Sequence, residues 1–423
     1  MKLIILGGGF GGLRLARLLN NKPGFEITLI DQFNYHQFQP LFYQVATAAL
    51  DASNISFPLR KAFQNSKNVR IRMAEVQSID TINKQVTGSE GNFSYDYLVI
   101  ATGATTNFFS NKNLEQYAFP MKSTVEALQL RHKLIHNFED ALHANNPEEL
   151  QQLMNIVVVG GGPTGVELSG AIAEMKKYVL PKDYPELDFN NMHIYLLEGT
   201  GKTLAAMSEQ SSADSLKYLQ RLGVTVMTNS LLDDYDGKTV TLKDGTKIHS
   251  SLVIWAAGIK GNIPAGIDES LIAKGNRIKV DHYNKVQDTQ DVFAIGDIAF
   301  MEEGIFTNGH PQVAPVAVQQ ATLLAENLKR IQKATALKAF NYKDKGAMAT
   351  VGRNLAVVDI PKPKLHFGGF IAWLIWMGLH LMLILGVKNR FFVFTNWLYN
   401  YVTYDQSLRL IFKEFYRKEQ TKS

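Results

Sequence analysis

Short apolar runs that end abruptly at small residues dominate the pattern of this chain. Leu3–Leu6 stops at Gly7, and Ile156–Val159 stops at Gly160. Tyr97–Ile100 runs into Ala101-Thr102-Gly103, and Leu252–Trp255 into Ala256-Ala257-Gly258. Uninterrupted apolar runs of this length predict strands buried on both faces, as in parallel sheets. Beyond Gly12, Leu13–Leu19 carries apolar residues at helical spacing, and a second helix is predicted from about Val166. Glu26–Ile30 ends at Asp31, and His193–Leu197 ends at Glu198. Two strand–glycine turn–helix–strand units result. Lys176–Asn190, with its Pro and Lys residues, reads as a loop inserted between helix and strand of the second unit.

The glycine turns explain what such units are for. Gly7, Gly9 and Gly12 form G-x-G-x-x-G, with Phe10 and Gly11 inside it. The first glycine permits the tight turn, the second lets a pyrophosphate approach the backbone, and the third lets helix and strand pack closely. The helix N-terminus then offers unpaired N–H groups to the phosphates. Asp31 follows Gly12 by 19 residues, close to the ~20 at which an acid holds the ribose. Gly160, Gly162 and Gly165 repeat the motif around Pro163 and Thr164, and Glu198 is the matching acid. An acid there accepts from a free 2′-OH and repels a 2′-phosphate, so NADH is expected over NADPH. Two dinucleotide sites in one chain imply two cofactors that meet for direct hydride transfer; FAD at the first and NADH at the second is the order usual in flavin reductases of this two-dinucleotide type.

The fold class expected is α/β, with two Rossmann-like dinucleotide-binding domains and a C-terminal helical region. Each half runs from glycine unit to apolar strand to Ala/Gly turn. Asp291–Ile295 then leads into Gly296-Asp297, which should return the chain to the first domain, with the Asp297 carboxylate on the ribityl hydroxyls. Residues 1–120 and 285–345 would form a discontinuous FAD domain around an inserted NADH domain, 121–284. Glu167, two residues past the second glycine loop, can be read either as an acid complementing the helix dipole or as a carboxylate near the reacting rings.

Residues 346–423 differ in composition. Phe367–Val387 carries no formal charge, only His380 is ionisable, and Lys388 and Arg390 follow. Trp373, Trp376 and Trp397 lie here with Phe391, Phe392, Phe394, Tyr399, Tyr401 and Tyr404. An interfacial helix fits this pattern first, a buried or dimer-forming helix second, and a bilayer span third.

Composition narrows the chemistry. The 423 residues include no cysteine, which excludes disulfides, thiolate-held iron–sulfur clusters and CxxC redox pairs. Electron chemistry must then run on organic cofactors, and no metal site is expected. Disulfide reductases and sulfide:quinone oxidoreductases, which work through cysteines on this scaffold, are set aside. A net charge of +5 is too weak to argue for nucleic acid. The apolar run before Gly7 is too short for a signal-peptide core, so export is not expected.

These residues together resemble the type II NADH:quinone oxidoreductases, over nearly the whole chain. The resemblance is carried by Asp31–Tyr43, Ala101-Thr102-Gly103, Gly160–Glu174, Trp255–Asn262, Val292–Asp297 and His310–Gln320. It implies a glutathione-reductase-like flavoprotein fold. It also implies FAD contacts at Gln32, Gln39, Pro40, Val76, Val313 and Ala314 beside those above, and NADH contacts at Ala257 and Gly258. It places Glu167 where nicotinamide, flavin and quinone meet. The family's quinone motif, Ala-Gln-x-Ala-x-Gln-Gln/Glu, falls on Ala314–Gln320, where Pro315 replaces the first glutamine and leaves Gln319 and Gln320 as the catalytic candidates. A peripheral homodimer on the cytoplasmic side of the cell membrane, passing electrons to quinone without pumping protons, is the implied assembly. The alternatives are a soluble NADH-dependent reductase for a protein acceptor such as ferredoxin, against which the apolar C-terminus counts, and a redox sensor, for which no effector domain is recognisable.

Overall fold

The computed structural model describes residues 1–411. The final residues of the expected C-terminal region, 412–423, lie outside the described residues. Among those described, two five-stranded sheets are built entirely from parallel pairs. The first is ordered Val292–Ala294, Tyr97–Ile100, Lys2–Leu6, Glu26–Asp31, Val69–Met73. The second is ordered Phe119–Pro120, Leu252–Trp255, Ile156–Val159, Ile194–Leu197, Val224–Met227. The central strands Leu3–Leu6 (after the exposed Lys2) and Ile156–Val159 are apolar and buried, which is why they read as continuous rather than alternating runs.

The sheets exchange edge strands. Val292–Ala294 comes late and pairs with Tyr97–Ile100 of the first unit. Phe119–Pro120 comes early and pairs with Leu252–Trp255 of the second. The crossings between units meet in an antiparallel ribbon, Ala104–Thr106 against Ile259–Gly261. The expected boundaries differ from this pairing at both ends. Phe119 and Pro120, assigned by sequence to the first domain, sit in the second sheet. Residues 272–279, assigned to the inserted domain, pair beside Ala299–Phe300 instead. Strands this short and isolated carry no pattern of their own, so only pairing reveals their sheet.

The helix after the second loop spans Pro163–Tyr178. It starts before Val166 because proline is well tolerated at N1, where its missing N–H has no helical acceptor. The segment expected as a loop is partly helical: Leu180–Asp183 forms a turn of helix and Phe189–Asn191 a 3₁₀ turn. Tyr184 within it packs on Phe138 and donates to Glu139 Oε1 at 2.8 Å.

The C-terminal region opens with an antiparallel sheet of Ala347–Gly352, Leu355–Pro361 and Lys364–Gly368. Two helices follow, Gly369–Leu383 and Val387–Thr403. The apolar segment Phe367–Val387 is therefore not one helix but the end of a strand, a helix, and the turn at Gly386. No helix among the described residues is long and apolar enough to cross a membrane, which removes the spanning reading for them. Ala372, Trp376 and His380, at i, i+4 and i+8, are the buried stripe of the first helix; Val393 and Trp397 are buried in the second. Their other faces expose Phe370, Ile371, Met382, Val387, Phe391 and Val402.

Candidate active site

The two glycine loops are built alike. Gly7 and Gly160 have φ of +100° and +110°, a region that side chains avoid. Gly12 and Gly165 are packed so closely that a Cβ would stand 1.9 Å from the carbonyl oxygen of Gly7 or Gly160. Gly9 and Gly162 are the opposite: nothing lies within 4 Å of where a Cβ would be. The outer glycines make the turn and close the helix onto the strand. The middle one leaves an open cradle in front of a helix N-terminus, which suits a pyrophosphate.

The acids reach back to these loops. Asp31 accepts from the Gly8 amide at 2.6 Å and the Phe33 amide at 2.7 Å. Burial nonetheless pushes its carboxyl above the usual carboxylate range. Glu198 accepts from the Gly161 amide at 2.6 Å and the Thr200 amide at 2.7 Å. The extra chain between Gly165 and Glu198 does not disturb this equivalence.

Around the first loop, Phe10 meets His36 and Phe38 edge-on. Gln39 and Pro40 form the 3₁₀ turn Gln39–Leu41, Gln32 is exposed, and Val76 opens the strand Val76–Asp80. Ala101 is buried at the end of its strand, and the Thr102 hydroxyl donates to Asn262 O at 2.6 Å across the two units. Gly296 has φ of +76° and starts the 3₁₀ turn Gly296–Ile298. Asp297 is half-buried, and its carboxylate has no hydrogen-bond partner among the described residues. Desolvation raises its pKa while Lys122 and Arg277 pull it down. A free carboxylate beside an open glycine cradle fits a dinucleotide bearing hydroxyl groups. Around the second loop, Pro163 and Thr164 are exposed on the first helical turn. Ala257 is exposed too, and Gly258 lies against the Phe109 ring.

Glu167 sits on the helix that starts at the second loop, buried at the base of a cleft. Gly170, one turn on, explains the burial. A Cβ there would stand 1.5 Å from Val351 O, so only glycine lets the strand Ala347–Gly352 lie on the helix. That contact carries the Thr350 amide to Glu167 Oε1 at 3.3 Å. Desolvation dominates and pushes the Glu167 carboxyl up to about 8, against smaller downward effects from Thr350 and the neighbouring Trp376 indole.

Apart from Glu174, on the same helix, the rest of the cleft comes from distant parts of the chain. Tyr43, Gln44, Glu174, Arg353 and Trp397 line it with Glu167. Trp397 Nε1 donates to Gln44 Oε1 at 2.7 Å, and Gln44 Nε2 donates to Tyr43 Oη at 2.7 Å. Asn389 Nδ2 donates to the carbonyls of Ser53, Asn54 and Ser56, and Asn400 Nδ2 to that of Ala49. These bonds seat the last helix over the cleft. None of these residues was singled out from sequence as a site residue. Tyr43 and Glu174 end the stretches Asp31–Tyr43 and Gly160–Glu174, which carry the family resemblance but give neither residue a role. The spacing of seven between Glu167 and Glu174, which puts both on one helical face, was the available signal.

Gln319 and Gln320 are placed elsewhere. They lie on the helix Ala314–Gln332 and do not line the cleft that holds Glu167. Gln320 is buried, and its Oε1 accepts from the Gly296 amide at 2.7 Å. Gln319 exchanges two bonds with the Lys343 backbone. Pro315 occupies the first turn of this helix, next to Ala314 and the half-exposed cap Val313, which gives the departure from the family pattern a local reason.

Residues 1–321 match the family of pyridine nucleotide-disulphide oxidoreductases, and residues 345–403 match the NDH2 C-terminal domain. The type II NADH:quinone oxidoreductase Ndh of Mycobacterium tuberculosis is 34% identical, over 94% of this chain and 87% of its own. The chain belongs to the type II NADH:quinone oxidoreductases. The type II NADH:quinone oxidoreductase of Haemophilus influenzae is 31% identical over 84% of this chain and 86% of its own. A solved NDH2 from Plasmodium falciparum in complex with NADH shares the fold, with a TM-score of 0.89 at 23% identity, covering 97% of this chain and 99% of that one. The disulphide in the broader family's name has no counterpart in this type II enzyme, which contains no cysteine.

Proposed function

We propose that this chain is an FAD-dependent NADH:quinone oxidoreductase that does not pump protons. Bound FAD supplies the two-electron chemistry, taking hydride from NADH and returning electrons to a quinone. The Gly7–Gly12 loop, Asp31 and Asp297 hold FAD; the Gly160–Gly165 loop and Glu198 hold NADH. The observation that carries the reading is the position of Glu167. It lies on the nucleotide-binding helix and also at the base of a cleft roofed by the C-terminal helices, so one buried acid connects the NADH loop to the cleft. We assign that cleft to the quinone head. Glu167, kept largely protonated at neutral pH, donates a proton there; Gln44 and Trp397 orient Tyr43 beside it.

The exposed apolar faces of Gly369–Leu383 and Val387–Thr403, with Lys388 and Arg390 in the first turn of the second helix, suit a helix pair lying in the headgroup region of the cytoplasmic side of the membrane. A homodimer follows from the family resemblance. Gln320 supports the Gly296 turn at the FAD site and Gln319 anchors residue 343. The domain division follows the ribbon of Ala104–Thr106 and Ile259–Gly261, with the membrane-binding part starting near residue 346. One preparation tests the function twice: flotation with liposomes, then NADH oxidation with a quinone against ferricyanide. Flotation and a quinone preference are expected; absence of both leaves only a generic flavin reductase.

A further inference from the structure

We propose that Glu174 is a relay through which Glu167 is recharged with protons from solvent. The proposal rests on the quinone-reductase reading above. The overall reaction, NADH + H⁺ + quinone → NAD⁺ + quinol, takes one proton from solvent per turnover; the other arrives with the hydride. Glu167 is buried at the base of the cleft and needs a supply route. Glu174 lies two helical turns further along the same face, about 10 Å away along the axis, and lines the same cleft. Glu174 as a residue is less buried than Glu167, which places it nearer the solvent end of the cleft.

The groups facing Glu174 suit a relay. The Arg353 amide donates to its Oε1 at 2.5 Å, and the Arg353 guanidinium is held over the rings of Tyr401 and Tyr404 at 3.9 and 3.7 Å. These favour the carboxylate, while burial opposes them and wins, holding the pKa above its ordinary value. Tyr178 on the same helix and Asp405 also line the cleft. Tyr43 lines the same cleft and feels the charge of both acids. Its oxygen already accepts from Gln44, and its own proton has no acceptor among the described residues. A proton leaves Glu174, crosses by the Tyr43 hydroxyl and cleft water to Glu167, and Glu174 takes another from bulk.

The test uses the full-length, FAD-loaded enzyme on vesicles. Glu174→Gln and Glu174→Asp are compared with the natural protein from pH 6 to 9, with a soluble quinone and with ferricyanide, which takes electrons and no proton. For Glu174→Gln, the ratio of quinone to ferricyanide kcat should fall about tenfold or more. KM for NADH should be unchanged, and Glu174→Asp or added formate should restore part of the ratio. An unchanged ratio and pH profile in Glu174→Gln overturns the relay. So does an equal loss with both acceptors that Glu174→Asp fails to repair. If the natural protein reduces ferricyanide but no quinone, the parent reading falls and the relay with it.

Discussion

The Thr350 amide donates to the Glu167 carboxylate at 3.3 Å across 183 positions of sequence. This bond joins the nucleotide-binding helix to the first strand of the C-terminal sheet. It puts an acid with a pKa of about 8 where the helix of the second glycine loop meets the C-terminal sheet. Since the protonated form donates, quinone reduction should hold at neutral pH and decline as pH rises through about 8. Glu167→Gln should slow quinone turnover by about a hundredfold, leave FAD bound by its visible absorbance, and abolish that alkaline limb. Stability has the same sign: the folded state holds the proton more tightly than the unfolded chain, so the melting temperature contribution of Glu167 is lost between the ordinary carboxylate range and about pH 8. Unchanged rates across pH would remove Glu167 from the reaction.

Gly170 controls that bond. Gly170→Ala should force the strand Ala347–Gly352 off the helix, costing about 1–3 kcal/mol from overpacking. Thermal unfolding should register the loss, and the quinone rate should fall more than the ferricyanide rate. Equal rates with both acceptors would show that the sheet does not shape the cleft.

The middle and last glycines of a loop should fail differently. Gly162→Ala meets no protein atom within 4 Å, so it should fold and retain FAD while KM for NADH rises about tenfold, the equivalent of one weakened phosphate contact. Gly165→Ala places its Cβ 1.9 Å from the Gly160 carbonyl oxygen and should lower the melting temperature as well. Matching melting curves for the two variants would contradict the packing.

Glu198→Gln keeps an acceptor for the Gly161 amide and removes the charge. The natural protein should prefer NADH, and the variant should narrow the ratio of kcat/KM for NADH over NADPH by about tenfold. A ratio that stays constant would place the discrimination elsewhere.

Val387 and Phe391 are 82% and 61% exposed, and neither packs in the cleft. Replacing both by Glu should abolish flotation with liposomes of mixed anionic lipid, while NADH:ferricyanide activity persists in the soluble fraction. Continued flotation would move the membrane surface away from these helices.

The sequence determined both glycine loops and their acids. Gly7 to Gly12 with Asp31, and Gly160 to Gly165 with Glu198, are local in the chain; the first and last glycines of each loop meet backbone requirements that only glycine satisfies, while the middle ones stand in open space. The missing cysteines bounded the redox chemistry in the same direct way. Tertiary structure decided the rest. Phe119–Pro120 and residues 272–279 are too short to announce their sheets, so pairing alone placed them. The apolar stretch Phe367–Val387 read as one segment because composition does not show where a strand ends and a helix begins. Glu167 could be read as a simple dipole partner until Gly170 brought Thr350 against it. The cleft brings Tyr43, Arg353 and Trp397 from remote segments to Glu167 and Glu174, and proximity of that kind arises from packing, which no single stretch of sequence encodes.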